Sequence, residues 1–181
     1  MSTRAISLLL VRFASWKHSG VTRFCPIYIK PPAVRCKVNL YGSGDNLDFE
    51  RSYVIAMLIL KCDEAKARRD EEAVVGGNGS STHEFLYVDD AAKGIIKATE
   101  SFEKSIPVNL GSGYEISIKD LVALIGDVSG FRGHVTWDTT KHNGQPRRKL
   151  DTSRAKELFA FEAQTTFENG LRGTMAWYLN K

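Results

Sequence analysis

Few side chains in this sequence are grouped as chemistry would require. Asp89 and Asp90 stand side by side after Glu84-Phe85-Leu86-Tyr87-Val88, as an acid–base pair would, but Asp89 is also placed to cap a helix, and capping is the reading preferred. Gly111-Ser112-Gly113 has the small residues of a phosphate loop in miniature, is too short to be one, and reads as a strand-ending turn. Cys25, Cys36 and Cys62 are odd in number, without a CxxC pair or a histidine at ligand spacing. They fit neither a disulfide framework nor a zinc site, and a reducing compartment is the default. What remains are single polar groups at element ends. Asn39 has an amide that can donate to an oxyanion and accept from a hydroxyl, or satisfy backbone groups at a strand end. Lys61 lies on a helix face, where such a charge is usually solvated. Arg147 and Arg148 lie in a basic run that is either plain surface or a place where a planar guanidinium grips two phosphate oxygens.

The elements that must position these groups alternate. Ala33–Tyr41 is rich in β-formers and predicts one strand ending at the turn Gly42-Ser43-Gly44-Asp45-Asn46, where an α/β sheet places ligand-binding groups. A helix is predicted from Tyr53 to about Arg69, short strands at Val74-Val75 and 84–88, and a helix through Ala91, Ala92, Ile95 and Ile96. A strand at 107–110 follows, then a helix with Ser117 and Asp120 as a capping box and a stop near Gly130. The remainder predicts a strand at 134–137, a polar loop over 138–150, a short helix from Thr152 to Phe159, and a last helix capped by Thr165 and Glu168. Alternation of this kind means α/β. No internal repeat or low-complexity run appears.

The net charge of +4 would suggest nucleic acid if it were spread evenly. It is not. Residues 1–44 hold seven basic side chains and no acid, whereas 45–181 hold 18 basic and 21 acidic residues, so no nucleic-acid role is expected. Met1–Gly20, with Arg4, Arg12, Lys17, serines and the run Leu8-Leu9-Leu10-Val11, has the composition of an amphipathic transit peptide; the preferred alternative is an unrelated or out-of-frame stretch joined to a real domain. Its apolar run is too short to span a membrane. Cytoplasmic location is the expectation, with mitochondrial import the alternative if 1–20 is a transit peptide. The expected division is a basic leader over 1–32 and a body over 33–181.

An ordered set of segments in the body resembles the extended short-chain dehydrogenase/reductase family, also called the NAD-dependent epimerase/dehydratase family, and within it the GDP-L-fucose synthase branch. The set is Asn39-Leu40-Tyr41-Gly42 with Asp45-Asn46, Val54-Ile55, Glu84 through Ala92, Val108-Asn109-Leu110-Gly111-Ser112-Gly113, Ile116-Ser117-Ile118, Trp137-Asp138-Thr139, Gly144-Gln145-Pro146-Arg147-Arg148 and Leu150 through Ala155. The resemblance implies a truncated Rossmann-type α/β fold: the last strands of the parallel sheet plus most of the smaller substrate-binding domain. It implies an NADP-dependent enzyme that epimerises and reduces a GDP-4-keto-6-deoxy-mannose, with this segment on the sugar-nucleotide side. Substrate-binding roles fall by resemblance on Asn39, Lys61, His83 and Arg148, and cofactor contacts on Asn39 and Leu40.

Hydride transfer in such enzymes needs a Gly-rich turn for the dinucleotide pyrophosphate and a Tyr-x-x-x-Lys pair that tunes a phenol. The sequence has no GxGxxG, and its one tyrosine before residue 41, Tyr28, has Pro32 at the lysine position. Tyr53 stands where the family has a histidine, His83 where it has an arginine, Gly76 where it has an aromatic residue, and Lys37 and Ala56 where it has prolines. The chain is therefore expected to bind no NADP and catalyse nothing alone. A GDP-sugar site is expected to be weak or lost, and self-association through exposed strand edges is expected with marginal stability.

Overall fold

The computed structural model of the chain describes residues 38–48, 52–103 and 106–181, with the backbone of Val34–Arg35. The basic leader over 1–32, which includes Cys25, together with Cys36 and Lys37, lies outside the described residues. The strand expected over 33–41 is two short ones, β1 (Val34–Arg35) and β2 (Asn39–Tyr41), with a bend at Val38 between them. The break lets each pair with a different partner. The strand β1 runs parallel to β5 (Val108–Asn109), and β2 runs parallel to β4 (Thr82–Tyr87).

Alternation along β4 divides the interior. Phe85 points into one core and Leu86 into the other, as successive strand residues must. The first core gathers Leu86, Val108 and Leu110 with Val88, Ala91, Ile95 and Ala98 of α2 (Val88–Ser101) and Phe159 of α4 (Ser153–Phe159). The second joins α1 (Val54–Arg68), α3 (Ile118–Ser129) and α5 (Phe167–Leu179) through Ile55, Leu58, Ile59, Leu121, Ile125 and Leu171. Each of these aliphatic side chains is essentially fully buried and contributes ~2 kcal/mol by leaving water. A two-stranded parallel sheet, β3 (Glu72–Gly76) with β7 (His134–Asp138), closes the second core through Ala73 and Val75 while Val74 faces solvent.

Two caps differ from their sequence assignments. Helix α2 starts at Val88 with Tyr87 as N-cap, so Asp89 is one residue inside the helix and not its cap. Both Asp89 and Asp90 then stand in the first turn, where the helix dipole favours negative charge. Helix α5 is capped by Thr166, whose side chain accepts from the Asn169 N–H, because the Thr165 N–H is taken by buried Asp90 at 2.7 Å. Ser117 caps α3 as expected: its Oγ accepts from the Asp120 N–H at 3.0 Å and donates to the Asp120 carboxylate at 2.6 Å. Within the stretch expected to be loop, β8 (Arg147–Arg148) pairs parallel with β4. The arginines of the basic run are thereby held on a sheet.

Candidate functional site

The strand β4 is the spine of the candidate site. One of its edges takes β6 (Glu115–Ser117) antiparallel at Thr82–Glu84. The opposite edge takes β8 against Thr82–His83 and β2 against Phe85–Tyr87, one after the other. His83 is in register with Arg148, and Asn39 with Phe85 two residues further on. Three of the four side chains expected to bind substrate are thus gathered along one edge.

Their interactions are specific. The Asn39 amide donates to the Glu84 carbonyl at 3.2 Å, so it satisfies a strand-end backbone group whatever else it does. Leu40, on the other face of β2, packs against the first core. His83 Nε2 lies 3.3 Å from the Gln145 carbonyl and its ring tilts against Phe85. Arg148 is half-buried, and loss of water pulls its guanidinium below the usual arginine range, an effect that Tyr53 opposes. Arg147, on the solvent side, places two N–H groups on the Glu115 carboxylate at 2.9 Å each, bridging β8 to β6. With the Thr82 hydroxyl also donating, these contacts hold the Glu115 carboxyl down at about 2.

The turn after β2 completes the group. Gly42 has φ +143°, and a Cβ there would lie 2.5 Å from the Val88 side chain, so only glycine fits the exit of the strand. Asp45, 7% exposed, donates its N–H to Gly42 at 3.3 Å and accepts from the Asn46 N–H on Oδ1 at 2.7 Å. Burial pushes its carboxyl up to about 6. Tyr53, the N-cap of α1, has a phenol pushed above its ordinary value by burial and by Asp45, with Arg148 acting the other way. Asp45, Tyr53 and Arg148 therefore share one electrostatic neighbourhood.

Lys61 is placed apart. Two turns along α1, its ammonium donates to the Val74 carbonyl of β3 at 2.8 Å, and no interaction found among the described residues links it to Asn39, His83 or Arg148. A residue the sequence reading left without a role is Glu84, fully buried at the centre of β4. Its two oxygens accept from the N–H groups of Gly113 at 2.8 Å and Leu150 at 2.7 Å, tying the turn after β5 and the exit of β8 to the spine. A carboxylate directly ahead of the apolar run Phe85-Leu86-Tyr87-Val88 was the available signal. Cys62 is buried and unpaired, and no cluster of three metal-ligating side chains occurs among the described residues. A separate cavity of about 550 Å³ is walled by Tyr41, Phe85, Tyr87, Tyr114 and Phe167 and contains none of the expected site residues. No described helix is long and apolar enough to cross a membrane.

Comparison with known proteins gives this geometry a context. The NAD dependent epimerase/dehydratase family matches residues 30–111. A putative GDP-L-fucose synthase of Arabidopsis thaliana is 41% identical over 141 residues, covering 78% of this chain and 43% of that protein. The GDP-L-fucose synthase of Escherichia coli K12 is 35% identical over 150 residues, covering 78% of this chain and 46% of that one. Among solved structures, a GDP-L-fucose synthetase from Naegleria fowleri bound to NADP superposes with a TM-score of 0.74 at 30% identity, over 78% of this chain and 44% of that one. The chain spans less than half the length of these relatives.

Proposed function

Because the chain belongs to the NAD dependent epimerase/dehydratase family and has the partial Rossmann-type fold of its GDP-L-fucose-synthase-like members, we propose that residues 33–181 form the nucleotide-sugar side of an NADP-dependent epimerase/reductase. The same proposal holds that 1–181 taken alone retains at most a weakened GDP-sugar site and transfers no hydride. The observation that carries it is the convergence of Asn39, His83 and Arg148 on one edge of β4, beside the Gly42–Asp48 turn. In this reading the Arg148 guanidinium faces the diphosphate, where it forms charge-assisted hydrogen bonds. His83 and Asn39 line the same edge, and Lys61 takes a phosphate only by releasing Val74.

NADP, when bound in such enzymes, supplies the hydride that reduces the keto group. The residues present do not make a cradle for it: Asn39 and Leu40 offer one amide and one aliphatic contact, and the 181 residues contain no GxGxxG. Tyr53 adds to the case against turnover, since a phenol raised above its ordinary value is a poor proton donor at neutral pH. A second reading, that the scaffold persists as a non-catalytic binding or interaction element, is favoured by Tyr53, His83 and Gly76 standing at site positions where the family has other residues. Self-association through the edges of the β3–β7 sheet, and a reducing cytoplasmic location suited to free Cys62, belong to the same proposal.

The test is ligand-linked stability together with cofactor oxidation. GDP-L-fucose at saturating concentration raises the melting temperature of 1–181, since a ligand that binds only the folded chain stabilises it. Arg148→Ala removes the rise, and the near-ultraviolet absorbance of added NADPH stays constant. An unchanged melting temperature in the parent chain contradicts the binding assignment. Catalytic loss of NADPH absorbance contradicts the assignment of inactivity.

A further inference from the structure

The sequence contains three Asn–Gly dipeptides, Asn78-Gly79, Asn143-Gly144 and Asn169-Gly170. In such a pair the glycine nitrogen, unshielded by a side chain, can reach the asparagine carboxamide carbon if the backbone is free to turn. Two of the three are blocked. Gly170 lies inside α5, where its N–H is spent on the Thr166 carbonyl at 3.0 Å and its backbone presses against Tyr41. Gly79 is buried beneath Trp137, whose ring a Cβ would meet at 2.6 Å, and its carbonyl is fixed by the Lys119 N–H at 3.0 Å.

Asn143-Gly144 is open. Both residues are exposed, the Gly144 N–H has no hydrogen-bond partner among the described residues, and a Cβ at Gly144 would meet nothing within 4 Å. Asn143 Oδ1 accepts from the Asn78 N–H at 2.7 Å. A donor so placed stabilises the oxygen as it gathers charge during attack on the carboxamide carbon. Asn78 Oδ1 has a similar donor in the Ser80 N–H at 3.0 Å, so the freedom of the glycine peptide is what separates the two pairs. Asn143 also anchors its loop. Its carbonyl accepts from the buried Ser81 hydroxyl at 2.9 Å, and the Pro146 carbonyl then takes the Thr82 N–H at 2.9 Å as β8 begins.

We propose that Asn143 is a site of spontaneous deamidation whose product loosens the start of β8. The Gly144 nitrogen bonds to Asn143 Cγ, the Cγ–Nδ2 bond breaks, and ammonia departs with the Gly144 amide proton. Water then opens the cyclic imide at either carbonyl, giving aspartate or isoaspartate. Isoaspartate lengthens the main chain by one methylene just ahead of β8 and turns the carbonyl that holds Ser81 into a pendant carboxylate.

Peptide mass mapping and enzymatic methyl labelling of isoaspartate test this, on 1–181 aged at mildly alkaline pH both folded and in urea. In the folded chain both products accumulate at 143 several-fold ahead of 78 and 169, whereas urea levels the three sites. Asn143→Gln, whose longer side chain closes the ring poorly, loses the signal at 143. Amide exchange at Thr82 is faster in aged than in fresh protein. Absence of product, product appearing first at 78 or 169, or the same distribution folded as in urea overturns the assignment of Asn143. Unchanged exchange at Thr82 in protein that has deamidated overturns the loosening of β8.

Discussion

Asp45 is a buried carboxyl whose protonation departs from that of a solvated one. In an unfolded chain its carboxyl titrates near 3.9, whereas burial in the turn raises it to about 6. Between those values the folded chain holds a proton that the unfolded chain has lost, so its contribution to stability is present at low pH and disappears as pH rises through the folded value. Over about two pH units this amounts to roughly 3 kcal/mol. Asp45→Asn, which cannot ionise, should therefore gain on the parent chain as pH rises from about 4 to about 6 and hold that gain at neutral pH. Urea unfolding at several pH values checks this; a difference between the two chains that does not depend on pH would show that Asp45 is solvated. Glu84 is the opposite case. Its Ala variant leaves the Gly113 and Leu150 N–H groups without their acceptor and opens a hole where a buried side chain stood, so Glu84→Ala should lower the urea midpoint far more than Asp89→Ala. At this scale the sequence was only partly legible. Asn39, His83 and Arg148 stood out by type and resemblance, but the unpartnered oxygen of Asp45 depends on how a turn closes, and no spacing rule reports that.

The elements carry the site by pairing, and β8 shows how. Arg147 bridges to Glu115 on β6 and so fixes the two-residue strand that presents Arg148. Glu115→Gln should weaken GDP binding through Arg148 while leaving the fold intact, and because Glu115 is held at about 2, its own charge is retained down to strongly acidic pH. The conservative Arg147→Lys should restore part of the loss that Arg147→Ala causes, a pattern that separates positioning from direct contact; equal losses would argue against it. Ser117→Ala removes the α3 cap and should cost about 1 kcal/mol in urea unfolding. The helices were the most legible elements, since α1 has a long apolar period, α3 an explicit cap, and α4 begins and ends close to where the sequence places it. The strands were less so. A two-residue strand such as β8 is made by its partner, β4, and the run 138–149 that contains it has no aliphatic or aromatic β-former. The single strand predicted over 33–41 divides because β4 and β5 compete for it from two places.

For the molecule as a whole, two cores on either side of β2 and β4 supply the rigidity, and the candidate site occupies the edge where those strands meet β8. Binding and chemistry separate on this plan: the charged and amide groups proposed to recognise a sugar nucleotide lie on the described sheet, whereas a pyrophosphate turn and a tuned phenol are not found in the sequence. The strand edges of the β3–β7 pair are proposed to drive concentration-dependent association, which should appear as a sedimentation coefficient that rises with loading; invariance would remove that part of the account. The most direct measurement is a calorimetric titration of GDP-L-fucose into 1–181 and into its Arg148→Ala variant at neutral pH. A saturable isotherm with one site per chain, lost in the variant, is the predicted result. A flat titration of the parent chain, or identical isotherms for the two, would contradict the claim that this sheet edge recognises a nucleotide sugar.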